Sequence, residues 1–211
     1  EAYEINEENG LISVGARVTL NEFRHFLKDK CDEYVNYLDI FAAPQIKNNA
    51  TLIGNIATAS PIGDNAPILL ALDASLTIIG KDGEREEKLS DFFLDYRKTT
   101  LKAGELIKTV SFKIPENRKL KFYKNSIRKD LDISTINMGI NVDLNGNKVS
   151  DIKLGAGGIA AIPLKLRKTE DFLKGKLLDA KTISEACDLA QTEYTPISDV
   201  RSTDSYRRVV F

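Results

Sequence analysis

The sequence predicts an α+β protein built from two successive units, each combining antiparallel strands with short helices. Three dipeptides typical of tight hairpin turns, Asn9-Gly10, Asp82-Gly83 and Asn145-Gly146, lie between strand-like segments. Two capping-box patterns, at 19–22 and 182–185, each precede apolar residues at helical spacing. Antiparallel pairing with intervening helices is therefore expected along the chain.

The first unit, residues 1–115, should be a mixed lobe of strands and helices. Its strand-like segments are 12–14, 75–79, 87–89 and 110–114, and Pro115 ends the last of them. One helix should begin after Thr19 and bury an apolar face made of Phe23, Phe26 and Leu27. A second, short helix is expected near 67–72, after a stretch that contains glycines.

The second unit, residues 116–211, should be a small antiparallel sheet with helices on one face. Segments 140–144 and 149–154 alternate as strands, and helices are expected from Thr169 to just before Gly175 and again after Thr182. The last helix has an apolar stripe formed by Ile183, Ala186, Cys187 and Ala190. This spacing predicts that Cys187 is a core residue. The polar segment 115–119 marks the boundary between the units.

Composition excludes several classes of protein. The chain has 211 residues, 42% of them hydrophobic and 29% charged, which is ordinary for a soluble globular protein. A net charge of −1 gives no reason to expect nucleic acid or an anionic membrane as a partner. No apolar run approaches the ~18 residues that span a bilayer. Cys31 and Cys187 are far apart, so we expect two buried free thiols in the reducing cytoplasm.

The residues offer little for catalysis or metal binding by the chain itself. His25 is the only histidine and lies in a predicted amphipathic helix, where a solvated or capping role is expected. A metal site rich in histidine is therefore excluded, and the scattered carboxylates single out no catalytic pair. We assign no catalytic residue and expect a cofactor to supply any chemistry.

The segment Thr51–Pro67 is the strongest candidate for that cofactor. Gly54 and Gly63 lack a Cβ atom, so the backbone can approach a ligand closely. Asn55, Thr58 and Ser60 add short donors and acceptors. Such a stretch suits a phosphate or a sugar, but the same composition also suits a polar loop that only turns the chain. The glycine cluster 155–158 instead favours a close strand crossing.

The run Gly54-Asn55-Ile56-Ala57-Thr58-Ala59-Ser60-Pro61-Ile62-Gly63-Asp64 resembles the flavin loop of the molybdenum hydroxylase family, the flavoproteins of the xanthine dehydrogenase and carbon monoxide dehydrogenase type. Further similar blocks lie in the expected order, one upstream at 43–48 and the others downstream at 96–99, 105–107, 157–164, 196–201 and 206–207. The resemblance covers the whole chain. It implies that residues 1–115 are the second lobe of an FAD-binding domain and that 116–211 are the smaller C-terminal domain of the same flavoprotein.

The resemblance also implies which residues contact FAD. They are Phe41, Thr51, Leu52, Ile53, Gly54, Asn55, Thr58, Ser60, Asp64, Ile107 and Lys124. Asp64 would accept hydrogen bonds from cofactor hydroxyls, although a helix cap is the alternative role. Phe41 would stack on the flavin or pack in the core, and Lys124 would lie beside the flavin or on the surface. Arg97 would bind carboxylate or carbonyl groups in a structural role.

By resemblance, the module relays electrons from iron-sulfur clusters through FAD to NAD or another acceptor. Its partners would be an iron-sulfur subunit or domain and a molybdenum-cofactor subunit. An earlier lobe with its own pyrophosphate loop should precede Glu1, so the chain is expected to be a fragment that is inactive alone. The alternatives are an FAD-free docking subunit of such a complex and an unrelated flavoenzyme, for which the chain shows no substrate-facing base.

Overall fold

The computed structural model describes residues 2–211, and its first sheet has five antiparallel strands. These strands are β1 (Ile5–Glu8), β2 (Leu11–Gly15), β3 (Ser75–Gly80), β4 (Gly83–Lys88) and β7 (Leu106–Lys113). They lie in the order β1-β2-β7-β3-β4, so the late strand β7 joins the two hairpins. A separate two-stranded ribbon, β5 (Phe93–Asp95) and β6 (Lys98–Thr99), follows the second hairpin.

Six short helices accompany the first sheet within the described residues. They are α1 (Leu20–Phe26), α2 (Asp32–Ile40), α3 (Pro44–Lys47), α4 (Leu52–Ala57), α5 (Asn65–Ala71) and α6 (Leu89–Phe92). The inward side chains of the strands alternate with outward ones, and those of Val14, Ile78 and Val110 are fully buried. They form one apolar core with the helices, in which Phe23 and Leu38 are also fully buried.

The second sheet has four antiparallel strands in the order β11-β10-β9-β8. They are β8 (Lys119–Asn125), β9 (Ile136–Asn145), β10 (Lys148–Gly157) and β11 (Leu164–Lys165), and they are followed by α7 (Arg167–Leu173), α8 (Ala180–Ala190) and α9 (Asp204–Val210). A second apolar cluster lies between this sheet and helices α7 and α8. The two sheets and their order along the chain agree with the predicted α+β fold.

The predicted hairpins all form, but two of the three turns lie one residue away from the predicted dipeptide. Asn9 and Gly10 make the first turn as expected, with φ angles of 51° and 74°. In the second hairpin Gly80 pairs with Gly83, so the turn residues are 81–82. In the third, Asn145 pairs with Lys148, so the turn is 146–147. Strand pairing, which buries one face, sets the register more strongly than the turn residue does.

Helix starts were predicted with mixed success. Thr19 and Glu22 form the expected reciprocal capping box at the start of α1. The second predicted box is wrong, because α8 begins three residues earlier and the Asp179 carboxylate accepts a hydrogen bond from the Thr182 amide at 2.7 Å. Because aspartate is a strong N-cap and alanine favours helix, the helix begins at Ala180. Helix α7 likewise begins at Arg167 rather than at Thr169.

Two further predictions are corrected by burial and by element type. Cys187 is exposed, not a core residue, and Ile183 is 49% exposed on the same helix. Both border an open apolar cavity of about 330 Å³ between α8 and the second sheet, whereas Ala186 and Ala190 are buried. Cys31 is buried and both thiols are free. Leu89, predicted to end a strand, instead begins helix α6.

Helix α5 lies directly against the second sheet because glycines occupy the contact. Gly139 and Gly155 are register partners on β9 and β10. A Cβ atom at Gly155 would lie 2.0 Å from the Pro67 carbonyl oxygen, and one at Gly139 would lie 2.7 Å from it. The close approach expected at the glycine cluster is present, but the element that approaches is helix α5 and not another strand, and the contact brings the start of α5 to the ends of β8 and β9. No helix described between residues 2 and 211 is long and apolar enough to cross a membrane.

Candidate cofactor-binding site

The segment 51–67 consists of helix α4, a turn over 58–64 and the start of α5, so it is not the continuous polar loop that was one interpretation of the sequence. Thr51 is the N-cap of α4 and its Oγ1 accepts a hydrogen bond from the Gly54 amide at 2.9 Å. A Cβ atom at Gly54 would lie 2.9 Å from that same oxygen, so the glycine makes the capped turn compact. Helix α4 ends at Thr58, and a short turn leads to Asp64, where α5 begins.

Residues of α4 that were predicted to bind the cofactor present mainly their backbone. The side chains of Leu52 and Ile53 are buried in the apolar core, so they cannot line a polar ligand. Their amides belong to the first helical turn, where helical geometry supplies no acceptor. Gly54 is exposed and leaves its backbone accessible. The Gly54 amide already donates to Thr51 Oγ1 and Leu52 is fully buried, so the Ile53 amide is the first-turn donor to which the described residues supply no acceptor.

Thr58 and Ser60 lie on the turn that separates α4 from α5. Thr58 Oγ1 donates to the Asn55 carbonyl at 2.9 Å, and the Ser60 carbonyl accepts from the Gly63 amide at 3.1 Å. Ala59 between them has a φ of 46°, a left-handed conformation that a side chain rarely adopts. The turn is thus held by local bonds around one strained residue.

Asp64 is the centre of a buried polar cluster that joins helices α2 and α5 to the second sheet. Its Oδ1 accepts from Lys124 Nζ at 2.8 Å and from the Tyr37 hydroxyl at 3.0 Å. Ser134 Oγ also donates to it, and Asn137 Nδ2 makes a longer contact of 3.4 Å. Among residues 2–211 no donor reaches Oδ2, the other oxygen of the same carboxylate. One oxygen is therefore saturated by protein groups and the other remains available to a ligand.

The cluster decides between the alternative roles of Asp64 and Lys124. Asp64 occupies the N-cap position of α5, but its side chain makes no capping hydrogen bond. The Lys124 side chain is only 1% exposed, so it is not a surface lysine, and Nζ also donates to Ser134 Oγ at 2.8 Å. Burying such a pair is costly unless hydrogen bonds surround it. Here the hydroxyls of Tyr37 and Ser134 supply them.

Asn55 is oriented by a second chain of buried hydrogen bonds. Its Oδ1 accepts from the backbone amide and from the side-chain amide of Asn65, at 3.2 and 3.0 Å. Asn65 Oδ1 in turn accepts from the Tyr34 hydroxyl at 3.0 Å. Burial raises the pKa of Tyr34 and of Tyr37 well above the ordinary value, so both remain donors at neutral pH. Asn55 Nδ2 has no acceptor within the described part of the chain.

Phe41 and Ile107 lie in the apolar core rather than in the polar cluster. Phe41 is 9% exposed at the C-terminal end of α2, where the next residue, Ala42, has a φ of 44°. Ile107 is buried on β7, the strand against which α4 packs. The charged segment 126–133 approaches the same end of α2, since the Leu131 amide donates to the Ile40 carbonyl at 3.4 Å.

Two other residues that the sequence singled out lie elsewhere. His25 is exposed and its Nδ1 lies 2.7 Å from the Asn21 carbonyl oxygen, in keeping with a solvated residue. The role predicted for Arg97 is wrong. Its guanidinium makes no hydrogen bond to a carboxylate or carbonyl within residues 2–211 and lies 5.7 Å from the ring centroid of the neighbouring Tyr96. Arg97 has a φ of 54° at the tip of the β5–β6 ribbon and is exposed.

Sequence reasoning missed the residues that support the site: Tyr34, Tyr37, Asn65, Ser134 and Asn137. All are buried. A signal was present on α2, where two tyrosines at a spacing of three lie on the apolar face and carry hydroxyls that need partners. Asn137 and Ser134 gave no comparable signal, because their partners are distant in the sequence.

The arrangement is suited to holding a polar ligand rather than to acid–base catalysis. It offers a carboxylate oxygen as acceptor and an asparagine amide as donor, with a buried lysine behind the carboxylate. Within residues 2–211 no three histidine, cysteine, aspartate or glutamate side chains are grouped as metal ligands would be. A ligand with both hydroxyls and phosphate oxygens matches these groups.

Comparison with protein-family models gives two matches that together cover most of the chain. The model for the FAD binding domain in molybdopterin dehydrogenase matches residues 1–116. The model for the CO dehydrogenase flavoprotein C-terminal domain matches residues 121–211.

Curated relatives and solved structures agree with these matches. The chain is 34% identical to the xanthine dehydrogenase of Blastobotrys adeninivorans over 94% of its own length, and 34% identical to xanthine dehydrogenase 1 of Arabidopsis thaliana over 92%. It spans only 16% and 15% of those proteins. The reconstituted CO dehydrogenase from Oligotropha carboxidovorans has a chain that superposes with a TM-score of 0.92 at 25% identity, covering 99% of this chain and 74% of that one.

Proposed function

The chain belongs to the FAD-binding flavoproteins of the molybdopterin dehydrogenases, and we propose that it is the part of a molybdenum hydroxylase that holds FAD and relays electrons. The cofactor of this family is FAD. When bound, FAD supplies the oxidation–reduction chemistry, because it exchanges electrons with one-electron and two-electron partners. The chain is accordingly an oxidoreductase component.

The residues present fit such a cofactor. We propose that Asp64 Oδ2 accepts a hydrogen bond from a ribose or ribityl hydroxyl and that Asn55 Nδ2 donates to a phosphate or carbonyl oxygen. The amides from Thr51 to Gly54 would lie beside the pyrophosphate, with Thr58 and Ser60 as further hydroxyls. Lys124 would place a positive charge near the ring system.

Apolar groups complete the proposed contacts. Phe41 and Ile107 lie at the edges of the core beneath α2 and α4, and we propose that they meet the flavin or adenine rings. Contact of this kind excludes water and adds dispersion attraction. The single observation that carries the proposal is the Asp64 cluster, because four buried groups donate to Asp64 Oδ1 and none donates to Oδ2.

We extend the proposal to the complex and its location. Electrons would arrive from an iron-sulfur subunit or domain, after substrate oxidation at a molybdenum-cofactor subunit, and leave to NAD or another acceptor. Purines or other N-heterocycles are the substrates that we propose for the whole complex. Residues 1–115 would form the flavin lobe and 116–211 the C-terminal domain. Two free thiols support a cytoplasmic location.

The test is the flavin content of the full-length protein, purified with its natural partner subunits. Visible absorption should show the flavin bands, and Asp64→Ala should lower the bound FAD per protein while Asp188→Ala, at an exposed position of α8, should not. If the intact protein binds no FAD, the proposal fails and a scaffold that only docks its partner subunits becomes the better account. Equal FAD in both variants would remove Asp64 from the site.

A further inference from the structure

Two tyrosines on α2 lie behind the two polar groups that the site offers to a ligand. We propose that Tyr34 and Tyr37 are positioning residues. Tyr34, through Asn65, orients Asn55 so that its amide nitrogen faces the ligand, and Tyr37 holds Asp64 so that Oδ2 faces the ligand. This inference rests on the proposed function, because it concerns how the same FAD site is set up. It adds two residues that do not themselves touch the cofactor.

In the chain of hydrogen bonds from Tyr34 to Asn55, one backbone amide determines which groups donate and which accept. The Asn65 backbone N–H can only donate, so the Asn55 atom that faces it at 3.2 Å must be the oxygen. The Asn65 side chain must then direct its NH₂ group to that oxygen, at 3.0 Å, and its own oxygen to Tyr34. The Tyr34 hydroxyl donates at 3.0 Å and completes the chain. Asn55 Nδ2 is consequently the atom left for a ligand.

The Tyr37 branch acts on the carboxylate. Its hydroxyl donates to Asp64 Oδ1 at 3.0 Å, beside Lys124 Nζ at 2.8 Å and the Ser134 hydroxyl. Rotation of the carboxylate would break these bonds together, so the side chain has one favoured orientation. Oδ2, to which no described residue donates a hydrogen bond, is thereby kept for a hydroxyl donor.

The rings of both tyrosines are locked, which fixes the direction of each hydroxyl. Tyr34 packs edge-to-face with Phe23 and with Phe122, at centroid distances of 5.3 and 5.5 Å. Tyr37 packs edge-to-face with Phe122 at 6.4 Å. A phenylalanine would fill these positions without burying a hydroxyl, so the hydroxyls are explained by their partners at the site rather than by packing.

The two branches define the class of ligand. A donor at Asn55 and an acceptor at Asp64 suit a molecule that presents a phosphate or carbonyl oxygen to one and a polyol hydroxyl to the other. A flavin nucleotide has both features. The network therefore selects by hydrogen-bond polarity as well as by shape.

The experiment measures FAD affinity of the full-length protein in its natural assembly, after removal and titration of FAD. Tyr34→Phe and Tyr37→Phe should each raise the Kd for FAD by roughly 5- to 30-fold, the effect of losing one oriented buried hydrogen bond. Tyr96→Phe, an exposed tyrosine of the β5–β6 ribbon, is the matched control and should leave the Kd unchanged. The increase of the melting temperature on adding FAD should shrink only in the first two variants.

A double-mutant cycle separates positioning from a merely structural role. In the Asp64→Ala protein, Tyr37→Phe should change the Kd less than about twofold, because the carboxylate that Tyr37 orients is absent. An equal further loss in that background would mean that Tyr37 only supports the fold and would overturn the inference. Tyr34→Phe in the Asn55→Ala protein tests the other branch in the same way. If Tyr37→Phe does not fold, Ser134→Ala removes a neighbouring donor from the same oxygen and takes its place.

The remaining outcomes are distinguishable. Failure of the intact protein to bind FAD overturns the proposed function and this inference together. Normal FAD binding by the intact protein and by both phenylalanine variants overturns the inference alone.

Discussion

Two ion pairs of this protein, Arg207 with Asp199 and Lys124 with Asp64, both have a buried cation but differ in how their carboxylates are used. In the pair of Arg207 and Asp199, the guanidinium Nη2 donates to both oxygens, at 3.0 and 2.9 Å. The amides of Arg201 and Ser202 also donate to Asp199. In the pair of Lys124 and Asp64, all donors reach one oxygen only.

The difference separates a structural pair from a binding pair. Arg207 is fully buried, and its Nη1 also donates to the Ile197 carbonyl at 2.7 Å, so it ties the segment before α9 to the helix itself. Burial acts to raise the pKa of Asp199, but the hydrogen bond from Arg207 holds it below the ordinary value. Both carboxylate oxygens of Asp199 therefore accept hydrogen bonds from protein groups that stabilise the fold. The Asp64 pair leaves one acceptor for another molecule.

The largest effect expected on folding is at the structural pair. Arg207→Leu should lower the free energy of unfolding by about 3–5 kcal/mol, because the hydrogen bonds of the fully buried guanidinium to both Asp199 oxygens and to the Ile197 carbonyl are lost. FAD affinity of the folded protein should change less than twofold. Urea unfolding and FAD titration measure the two quantities, and Arg208→Leu, an exposed neighbour, is the control. A large loss of FAD affinity would contradict the separation of the two pairs.

Lys124→Met should affect both quantities. Asp64 keeps its neutral donors and a free oxygen, so the free energy of unfolding should fall by only about 1–3 kcal/mol. The Kd for FAD should rise about tenfold, because the carboxylate loses its charged partner at the site. Lys121→Met, which removes an exposed lysine of the same strand, should change neither by a comparable amount. An unchanged Kd for FAD would mean that Lys124, like Arg207, only stabilises the fold.

The sequence predicted the fold better than it predicted the strand registers and the residues at which helices begin. Hairpins and helices were recognised from local patterns, but Gly80 and Asn145 pair one residue away from the expected registers, and Asp179 displaces Thr182 as a helix cap. These errors share a cause. Pairing and burial between distant segments set the register, and a local motif does not contain that information.

The residues proposed to contact the cofactor were predictable from the sequence, but the residues that support them were not. The order of small and polar residues between Thr51 and Asp64 is visible in one segment. The supporting contacts are not, since Tyr37 and Ser134 lie 27 and 70 residues from Asp64 along the chain. The sequence also could not show that Leu52 and Ile53 turn their side chains into the core, because that depends on the packing of α4.

The smallest effect is expected at the partly exposed pair of Arg85 and Glu105. The hydrogen bond from Arg85, with a second from the Lys102 amide, lowers the pKa of Glu105 from 4.5 to about 2. Since the folded value is the lower one, the stabilisation is present above about pH 4.5 and is lost as the pH falls towards 2. Glu105→Gln should therefore differ from the parent protein at neutral pH and match it in acid.

The measurement for Glu105 is the urea midpoint of both proteins across this range of pH, with Glu116→Gln as control. Both side chains of the pair are partly exposed and solvent screens their interaction, so the effect at neutral pH should be far smaller than that of Arg207→Leu. A difference that grew as the pH fell would contradict the assignment.

The central claim, that Asp64 keeps one carboxylate oxygen for FAD, is tested most directly by a crystal structure of the full-length protein with FAD bound. The account predicts a cofactor hydroxyl within hydrogen-bonding distance of Asp64 Oδ2, about 2.6–3.0 Å, with Tyr37, Lys124 and Ser134 still on Oδ1. FAD bound away from this cluster, or Oδ2 paired with a protein group in the presence of FAD, would contradict it.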